Sequence, residues 1–206
     1  MLPEPTVERL SRYRRILRDL HGSGKTSVFS HELAEMAHSN AAQVRRDVML
    51  IGHSGSPAKG YEVTALRTAI GDVLDDPALS RSVVIGLGNL GQAVVGYFGD
   101  HHSRFTISAA FDVDPLKIGR ENFGVPTFGM EKLEELISAQ NIRIAILAIP
   151  KPVAQEIVNR LCAAGITGIV NFVQIPLRVP PGVFVELVDI AATWEKVAYF
   201  SRRRQG

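Results

Sequence analysis

The chain has 206 residues, of which 46% are hydrophobic and 21% are charged, so it can build one large domain or two small ones around a real core. Its formal net charge of +2 argues against a protein that binds nucleic acid indiscriminately, although it permits positive charge concentrated on one face. Because the sequence has one cysteine, Cys162, and no apolar run of about 18 residues, we expect no internal disulfide and no membrane span, and we predict a cytoplasmic protein.

The first fifty residues contain three segments with helical periodicity. Over 6–20, apolar residues recur at spacings of three and four, with arginines on the other face. A shorter helix is predicted over 31–37, with Ser30 as its N-cap. After a short turn, Asn40 caps a third helix that extends to about residue 50.

A glycine-rich loop over 52–60 follows the third helix, and the strand-like Tyr61–Val63 follows the loop. Two helices, a short turn, a third helix and a loop between short strands are the order of a winged helix-turn-helix. A linking helix over 66–74, which stops near Pro77, comes next. We therefore predict a DNA-binding domain over 1–78.

The third predicted helix carries residues suited to reading DNA. Arg46 lies nearly opposite the apolar stripe, with Ala42 and Gln43 around it and Arg45 at the edge. Arginine can bond guanine and glutamine can bond adenine in the major groove, while Lys59 in the loop can reach a phosphate or the minor groove. These five residues are the predicted DNA contacts, and the alternative is a solvated helix face in a protein-interaction domain.

From Ser82 onward strands alternate with helices, which predicts an α/β domain with a doubly wound parallel sheet of the Rossmann type over 79–188. The last segment, 189–206, is predicted to be an amphipathic helix that contains Trp194. Its apolar face packs either on its own domain or on a second subunit. The predicted strands are 83–85, 106–111, 143–148, 168–171 and 183–187, and the helices between them start near Gly91, Met130 and Pro152.

The most informative motif has the spacing G-x-G-x-x-G and lies between a β-branched strand and a helix, which is the order of a dinucleotide-binding unit. Gly86 allows a tight turn, Gly88 lets a pyrophosphate approach the backbone, and Gly91 lets the helix pack close to the strand. The helix N-terminus, with Asn89 and Leu90, offers N–H groups and a positive dipole end to the phosphates.

Asp112 ends the second strand about 20 residues beyond this loop, where a carboxylate accepts hydrogen bonds from both ribose hydroxyls and repels a 2′-phosphate. The sequence therefore predicts NAD(H) rather than NADP(H). Apolar residues at later strand ends fall near the nicotinamide and favour NADH over the positively charged NAD⁺, unless they are ordinary core. The predicted contacts at this rim are Ala148, Ile149, Pro150, Asn171 and Phe172.

No catalytic acid accompanies the predicted cofactor site. All 6 histidines, including His101 and His102, precede the third strand of the α/β domain, and neither Tyr-x-x-x-Lys nor a strand-end His–Asp pair occurs. Hydride transfer to a substrate usually needs a positioned proton donor, so a binding role is favoured over turnover. We assign no catalytic and no metal-ligating residue. An NAD-dependent oxidoreductase with a helical module and a CoA- or nucleotide-binding regulator remain alternatives.

Over essentially its full length the chain resembles the redox-sensing transcriptional repressor Rex family. This resemblance implies a homodimer with a C-terminal helix swapped between subunits. It also implies a repressor that binds a double-stranded operator and releases it when NADH accumulates relative to NAD⁺. Two reading heads on a two-fold axis require an inverted repeat. The segments that carry the resemblance are Gln43–Asp47, Gly60–Tyr61, Ile85–Gly91, Phe111–Pro115, Ala164–Ile166, Asn171–Phe172 and Val188–Asp189.

By the same resemblance, Arg15, Tyr97 and Asp189 of the partner subunit form a switch. Asp189 can pair with Arg15 or accept a hydrogen bond from the Tyr97 hydroxyl, so its choice of partner can tie cofactor state to the DNA-reading heads. Two features depart from the family pattern. Ile190 stands where an aromatic residue often follows the switch aspartate, and the wing over 53–59 has less positive charge and aromatic character than usual.

Overall fold

A computed structural model describes residues 1–76, 81–100 and 105–202, except for the side chains of residues 99 and 100. The chain divides into two compact units, 1–76 and 77–206. Several sequence-based predictions fall outside the described residues: the helix stop at Pro77, the domain boundary after residue 78, His101 and His102, and the residues beyond 202 of the final helix.

Within residues 1–76 the chain forms four helices and a small antiparallel sheet. The predicted helix–helix–turn–helix order is present, and the paired strands flank the second half of this arrangement as the base of a wing. The elements are α1 (Glu4–Gly22), β1 (Ser27–Val28), α2 (Ser30–Met36), α3 (Ala41–Leu50), β2 (Tyr61–Glu62) and α4 (Val63–Leu74).

Side-chain caps set where these helices begin. The Asn40 side chain accepts a hydrogen bond from the Gln43 N–H at 2.9 Å, as predicted for α3. The prediction that Ser30 caps α2 is wrong, because Phe29 is the N-cap and its N–H donates to the Glu32 carboxylate at 2.7 Å. The fourth helix begins three residues earlier than predicted because Glu62 accepts from the N–H groups of its first turn.

The core of this unit gathers the apolar stripes of its helices around β1. On α3, Val44 and Val48 are buried as the periodicity predicts, but Asp47 is buried beside them with no exposed area. The principal buried apolar residues are Leu10, Tyr13, Leu17, Val28, Leu33, Val44, Val48, Leu66 and Ile70.

The described part of the second unit contains a seven-stranded sheet in the order β5-β6-β4-β3-β7-β8-β9. All neighbouring strands are parallel except β5 and β6. The chain order reverses beside β3, which creates the switch point where such sheets bind ligands. The strands are β3 (Arg81–Ile85), β4 (Thr106–Asp112), β5 (Glu121–Asn122), β6 (Val125–Gly129), β7 (Ile144–Leu147), β8 (Gly168–Asn171) and β9 (Phe184–Leu187).

Helices cover both faces of this sheet. Because side chains alternate along a strand, Val83 and Ile85 belong to one buried cluster and Val84 belongs to the other. Residues of α6 and α7 pack in the first cluster, and Val95 of α5 packs in the second. The helices are α5 (Asn89–Asp100), α6 (Leu133–Ala139, after a 3₁₀ turn), α7 (Lys151–Ala164) and α8 (Ile190–Ser201).

The terminal helix α8 has no buried residue within the described part of the chain. Trp194 is 75% exposed, and Ile190 and Val197 are more than half exposed. Of the two packing alternatives, the first is therefore not seen: within a single chain, the apolar face of α8 is not buried against its own domain. No helix in the described ranges combines the length and the apolar character needed to traverse a bilayer.

Candidate functional site

The three glycines of the fingerprint have different surroundings. Gly86 has a φ of +91°, and a Cβ placed there would overlap the Ala148 carbonyl oxygen. A Cβ on Gly91 would overlap the Gly86 carbonyl oxygen, so the first turn of α5 lies directly against the loop. In contrast, a Cβ on Gly88 meets no described atom within 4 Å beyond its chain neighbours. Two glycines therefore permit close packing, and Gly88 faces open space.

Backbone hydrogen bonds hold this loop at the ends of two strands. The Gly86 N–H donates to the Phe111 carbonyl at 2.8 Å, and the Ala148 N–H donates to the Ile85 carbonyl at 2.9 Å. Helix α5 starts at Asn89, so the N–H groups of its first turn lie next to Gly88. An open glycine beside a helix N-terminus is the geometry that receives a pyrophosphate, and the residues present fit a dinucleotide.

Asp112 lies at the end of the adjacent strand, where its exposed fraction is 8%, and it holds the glycine loop. Its Oδ2 accepts a hydrogen bond from the Leu87 N–H at 2.7 Å, and its Oδ1 accepts one from the Asp114 N–H at 2.9 Å. Lys117 Nζ lies 3.2 Å from Oδ2. The predicted ribose contact stays a prediction. It is compatible with these hydrogen bonds, because a carboxylate has lone pairs for further donors. The clamp on Leu87 is a role that the sequence did not reveal.

The charge state of Asp112 follows from these contacts. Burial raises its pKa, but the hydrogen bonds from the Asp114 and Leu87 N–H groups and from Lys117 lower it by more. The pKa of Asp112 therefore lies below its ordinary value, and the group is an anion at neutral pH. An ionised acceptor at this position keeps the glycine loop in place.

At the rim, Asn171 is buried and ties down the segment that follows β8. Its Oδ1 accepts from the Val173 N–H at 2.8 Å, and its Nδ2 donates to the Ile175 carbonyl at 3.1 Å. Phe172 is half-buried, and its N–H donates to the Leu147 carbonyl at 3.1 Å. Both residues therefore shape the carboxyl edge of the sheet where the prediction places them.

The next two rim residues lie closer to the glycine loop. The Ile149 side chain lies beside Gly86, so close that a Cβ on Gly86 would overlap it. Pro150 is the N-cap of α7. Together with Ala148 they bring an apolar strand end against the fingerprint turn. The structure thus gathers the loop and the β7 end of the predicted rim at one switch point.

The exposed side of α3 is the candidate DNA-reading face. Ala42, Arg45, Arg46 and Met49 are exposed and, with Leu50, line a shallow cleft of about 450 Å³. Arg45 Nη1 donates to the Ser30 hydroxyl at 3.0 Å, which links α3 to the start of α2. Three of the four predicted α3 contacts therefore share one surface.

The other two predicted contacts have different environments. Lys59 is exposed in the turn of the wing, where the Ser56 N–H donates to the Gly60 carbonyl at 2.8 Å. Gln43 is half-buried, and its Nε2 donates to Asp47 Oδ1 at 2.8 Å. Its Oε1 lies 3.4 Å from Arg46 Nη1. Gln43 is therefore attached to the core as well as to the reading face.

Asp47 is the residue that sequence reasoning missed. Its carboxylate accepts two hydrogen bonds from Arg9, at 2.6 and 2.8 Å, one from the Tyr13 hydroxyl at 3.0 Å, and the one from Gln43. Burial raises the pKa of Asp47, but its hydrogen bonds with Arg9, Gln43 and Tyr13 lower that pKa by more. The pKa of Asp47 therefore lies below its ordinary value. The available signal was position: residue 47 shares the spacing of Val44 and Val48.

The three predicted switch residues lie on three elements. Arg15 is exposed on α1 of the first unit. In the second unit Tyr97 is 59% exposed on α5, with its ring edge against Phe98. Asp189 is the N-cap of α8, and its Oδ1 accepts from the Ala192 N–H at 2.8 Å. Their joint role stays a prediction, and the capping role of Asp189 is new.

Within the ranges that the structure describes, the remaining reactive groups show no second site. Burial raises the pKa of the half-buried Cys162 thiol, which makes it a poor nucleophile at neutral pH. Among the residues that the structure describes, no three His, Cys, Asp or Glu side chains gather as a metal site would require.

Comparisons with known proteins cover both units. A family described as "Putative DNA-binding protein N-terminus" matches residues 1–48, and one described as "CoA binding domain" matches residues 79–175. The redox-sensing transcriptional repressor Rex of Leuconostoc citreum (strain KM20) is 42% identical over 199 residues, which are 97% of this chain and 92% of that protein. The chain belongs to the Rex family. Rex 1 of Enterococcus faecalis (strain ATCC 700802 / V583) is 38% identical, with 97% and 93% covered.

Solved structures of a Rex-family repressor, RSP, share the whole fold. RSP in complex with β-NADH superposes with a TM-score of 0.88 at 32% identity, and covers 100% of this chain and 96% of RSP. RSP in complex with β-NAD⁺ and operator DNA gives a TM-score of 0.89 at 33% identity, with 100% and 94% covered. These Rex relatives are regulators, so the family assignment places this chain with repressors rather than with oxidoreductases.

Proposed function

We propose that this chain is a transcriptional repressor that senses the ratio of NADH to NAD⁺, binds an inverted-repeat operator and releases it when NADH binds. The observation that carries the proposal is the 42% identity to a Rex repressor over 97% of the chain, which spans both units. RSP is known both with NADH and with NAD⁺ and operator DNA, and these are the two ligand states that such a sensor needs.

The glycine loop is the proposed dinucleotide site. Gly88 leaves room for the pyrophosphate, while the first-turn N–H groups at Asn89 and Leu90 provide donors for it. When bound, the cofactor supplies a difference in charge, because the oxidised nicotinamide ring is positive and the reduced ring is neutral. The apolar rim of Ala148, Ile149, Pro150 and Phe172, with Asn171, favours the neutral ring. The anionic Asp112 beside the loop disfavours a 2′-phosphate.

The exposed face of α3 is the proposed reader of operator bases. Arg46 and Arg45 present guanidinium groups to the major groove, and the small Ala42 permits close approach. Lys59 on the wing turn provides a contact to phosphate. Gln43 is the fifth proposed DNA contact.

We propose three domains: a winged-helix domain over 1–78, a dinucleotide domain over 79–188, and a swapped dimerisation helix over 189–206. The exposed apolar face of α8 supports the last assignment, because Trp194, Val197 and Ile190 would otherwise stay in water. A homodimer presents two heads on a two-fold axis, and the operator is then an inverted repeat. A repressor of this kind works where its DNA is, in the cytoplasm.

Coupling between the two ligands requires two states that bind NADH with different affinities. We propose that Arg15, Tyr97 and Asp189 of the partner subunit select between those states. Asp189 can pair with the Arg15 guanidinium or accept from the Tyr97 hydroxyl, and Tyr97 lies on α5, whose N-terminus is the proposed pyrophosphate site.

An electrophoretic mobility shift titration tests the proposal. Duplexes enriched by the purified full-length protein from a random pool serve as probe, with total dinucleotide held constant while the NADH fraction rises. Binding is expected to persist in NAD⁺ and to be lost as NADH replaces it. Unchanged binding across all ratios, or the absence of any enriched inverted repeat, would overturn the proposal.

Two controls address the alternative functions. An oxidoreductase would oxidise NADH at tens of turnovers per second when given its substrate, whereas a sensor leaves NADH intact. A CoA- or nucleotide-binding regulator would bind ADP-ribose, NADPH and NADH about equally, whereas the proposed site prefers NADH. Calorimetry with these three ligands distinguishes the two binding proteins.

A further inference from the structure

A polar network connects the buried side of α3 to its exposed face. Asp47 lies in the core of the winged-helix unit, 0% exposed, and Gln43 lies one helical turn before it at the edge of the reading face. The Gln43 amide joins the two, since its Nε2 contacts Asp47 at 2.8 Å and its Oε1 lies beside Arg46. The buried anion is therefore connected to the exposed guanidinium through one side chain.

The orientation of this amide is fixed by chemistry. An amide oxygen turned toward Asp47 would place two acceptors together, one of them charged, whereas the NH₂ group donates to it. Asp47 stays ionised because Arg9 and Tyr13 also donate to it. The Nε2 of Gln43 is thus held inward and its Oε1 is held outward.

This orientation changes what Gln43 can read. A free glutamine recognises adenine through a paired donor and acceptor at N6 and N7, which requires both ends of the amide. Here one hydrogen of the NH₂ group is engaged by Asp47, so the amide is held in one orientation and is not free to turn toward a base. The remaining acceptor faces Arg46 Nη1 at 3.4 Å, where it restricts the orientation of the guanidinium group.

We propose that Asp47 is a specificity-determining positioning residue, which fixes the Gln43 amide and uses it to orient Arg46 toward guanine. The proposal rests on the proposed DNA-reading function of α3 and names the base that this helix selects. Arg46 makes the paired contact to guanine, and each operator half-site then requires a guanine opposite it.

The test compares ratios of affinities for two duplexes. The operator is first selected from a random double-stranded pool by the wild-type full-length protein. The guanine opposite Arg46 is then identified by comparing two proteins. Changing this guanine to adenine weakens binding by the wild-type protein but not by the Arg46→Ala variant. Fluorescence anisotropy then gives the ratio of dissociation constants for the operator and its guanine-to-adenine variant. The wild-type ratio is expected to be on the order of tenfold or more.

Gln43→Leu and Asp47→Asn are each expected to reduce this ratio several-fold, and the double variant is expected to reduce it no further because both act through one path. A merely structural role would change the fraction of folded protein, which cancels in the ratio. Asp75→Asn is the matched control: Asp75 pairs with Arg14 at 2.6 Å in the same unit, and its loss should leave the ratio unchanged.

Each outcome has a definite meaning. Wild-type ratios in both Gln43→Leu and Asp47→Asn overturn the positioning role. If Asp47→Asn does not fold, Gln43→Leu decides alone, because the Gln43 side chain is only half-buried. Failure of the proposed function itself gives a different result, since the wild-type protein would then enrich no sequence.

Discussion

At the residue scale, the three glycines of the fingerprint are not equivalent. Gly86 and Gly91 lie against carbonyl oxygens that a side chain would overlap, and Gly86 also has a positive φ. Gly88 has neither restriction. The first two are therefore needed by the fold, and we propose that the third is needed by the ligand.

This difference predicts opposite results for two conservative changes. Gly88→Ala should leave the free energy of unfolding within about 0.5 kcal/mol of wild type, because no neighbour is displaced. It should weaken NADH binding by roughly tenfold or more, about 1.4 kcal/mol, because the methyl group occupies the proposed pyrophosphate position. Calorimetric titration and thermal unfolding measure the two effects. Gly91→Ala is the control and should lose stability, and wild-type NADH affinity in Gly88→Ala would contradict the site.

Asp47 predicts a pH dependence of stability. Its pKa in the folded chain is lowered, so its stabilising effect is complete above the unfolded pKa of about 3.9 and is lost as the pH falls through the folded value. At pH 7, Asp47→Asn should cost on the order of 2 kcal/mol, because Arg9 loses its buried partner but is itself partly exposed. The difference between variant and wild type should shrink below about pH 4.

Hydrogen exchange of the α1 and α3 amides is the suitable measurement, since the only tryptophan lies in α8 and does not report on this unit. Asp75→Asn again provides an acid-to-amide comparison. A variant penalty that stays constant from pH 7 to pH 3 would mean that Asp47 is not held as an anion.

These residues also indicate what a sequence can predict. The fingerprint is local, so the roles of Gly86 and Gly91 follow from spacing and agree with the turn and packing seen here. Asp47 could not be assigned the same way, although it shares the inward spacing of Val44. A buried carboxylate needs a partner, and Arg9 lies 38 residues away in the sequence. Its burial depends on a contact that periodicity does not contain.

At the element scale, the same distinction separates the strands. β3, β4, β7, β8 and β9 were predicted within about two residues because each is a short apolar run. The sequence did not predict β6, since it contains Pro126 and Gly129 and has no alternating apolar pattern. Its structure comes from parallel pairing with β4, where Phe111 lies opposite Phe128. Tertiary pairing therefore formed a strand that local preference disfavours.

The helix α8 predicts how the dimer responds to a charge. Val197 lies one turn after Trp194 on a face that is exposed in the single chain, and Val197→Asp would place an unpaired charge in the proposed subunit interface. The variant should sediment as a monomer, its Trp194 emission should shift to longer wavelength, and operator affinity should fall because one head reaches one half-site. Sedimentation and fluorescence at matched concentration check this. Glu195→Ala, a change of charge on the same exposed helix, is the control; a dimeric Val197→Asp protein would contradict the swapped-helix assignment.

At the scale of the whole molecule, the function of the repressor depends on coupling between the binding of NADH and the binding of operator DNA. If NADH lowers operator affinity by some factor, operator DNA must lower NADH affinity by the same factor. The coupling is therefore measurable from either side, and it separates residues that form a site from residues that connect the sites. A variant can bind each ligand alone with wild-type affinity and yet have a coupling factor near one. Such a variant has lost only the coupling between the two sites.

Asp189 is the residue for which this separation is sharpest. Because it caps α8 through the Ala192 N–H, Asp189→Ala removes a cap worth about 1 kcal/mol as well as a charge. Asn caps helices as well as Asp does, so Asp189→Asn keeps α8 and removes only the charge that we propose pairs with Arg15 of the partner subunit. We expect this variant to remain dimeric, to bind NADH and operator singly, and to have a coupling factor near one. Calorimetric titration of NADH with and without operator measures the factor, and a wild-type value in Asp189→Asn would contradict the switch.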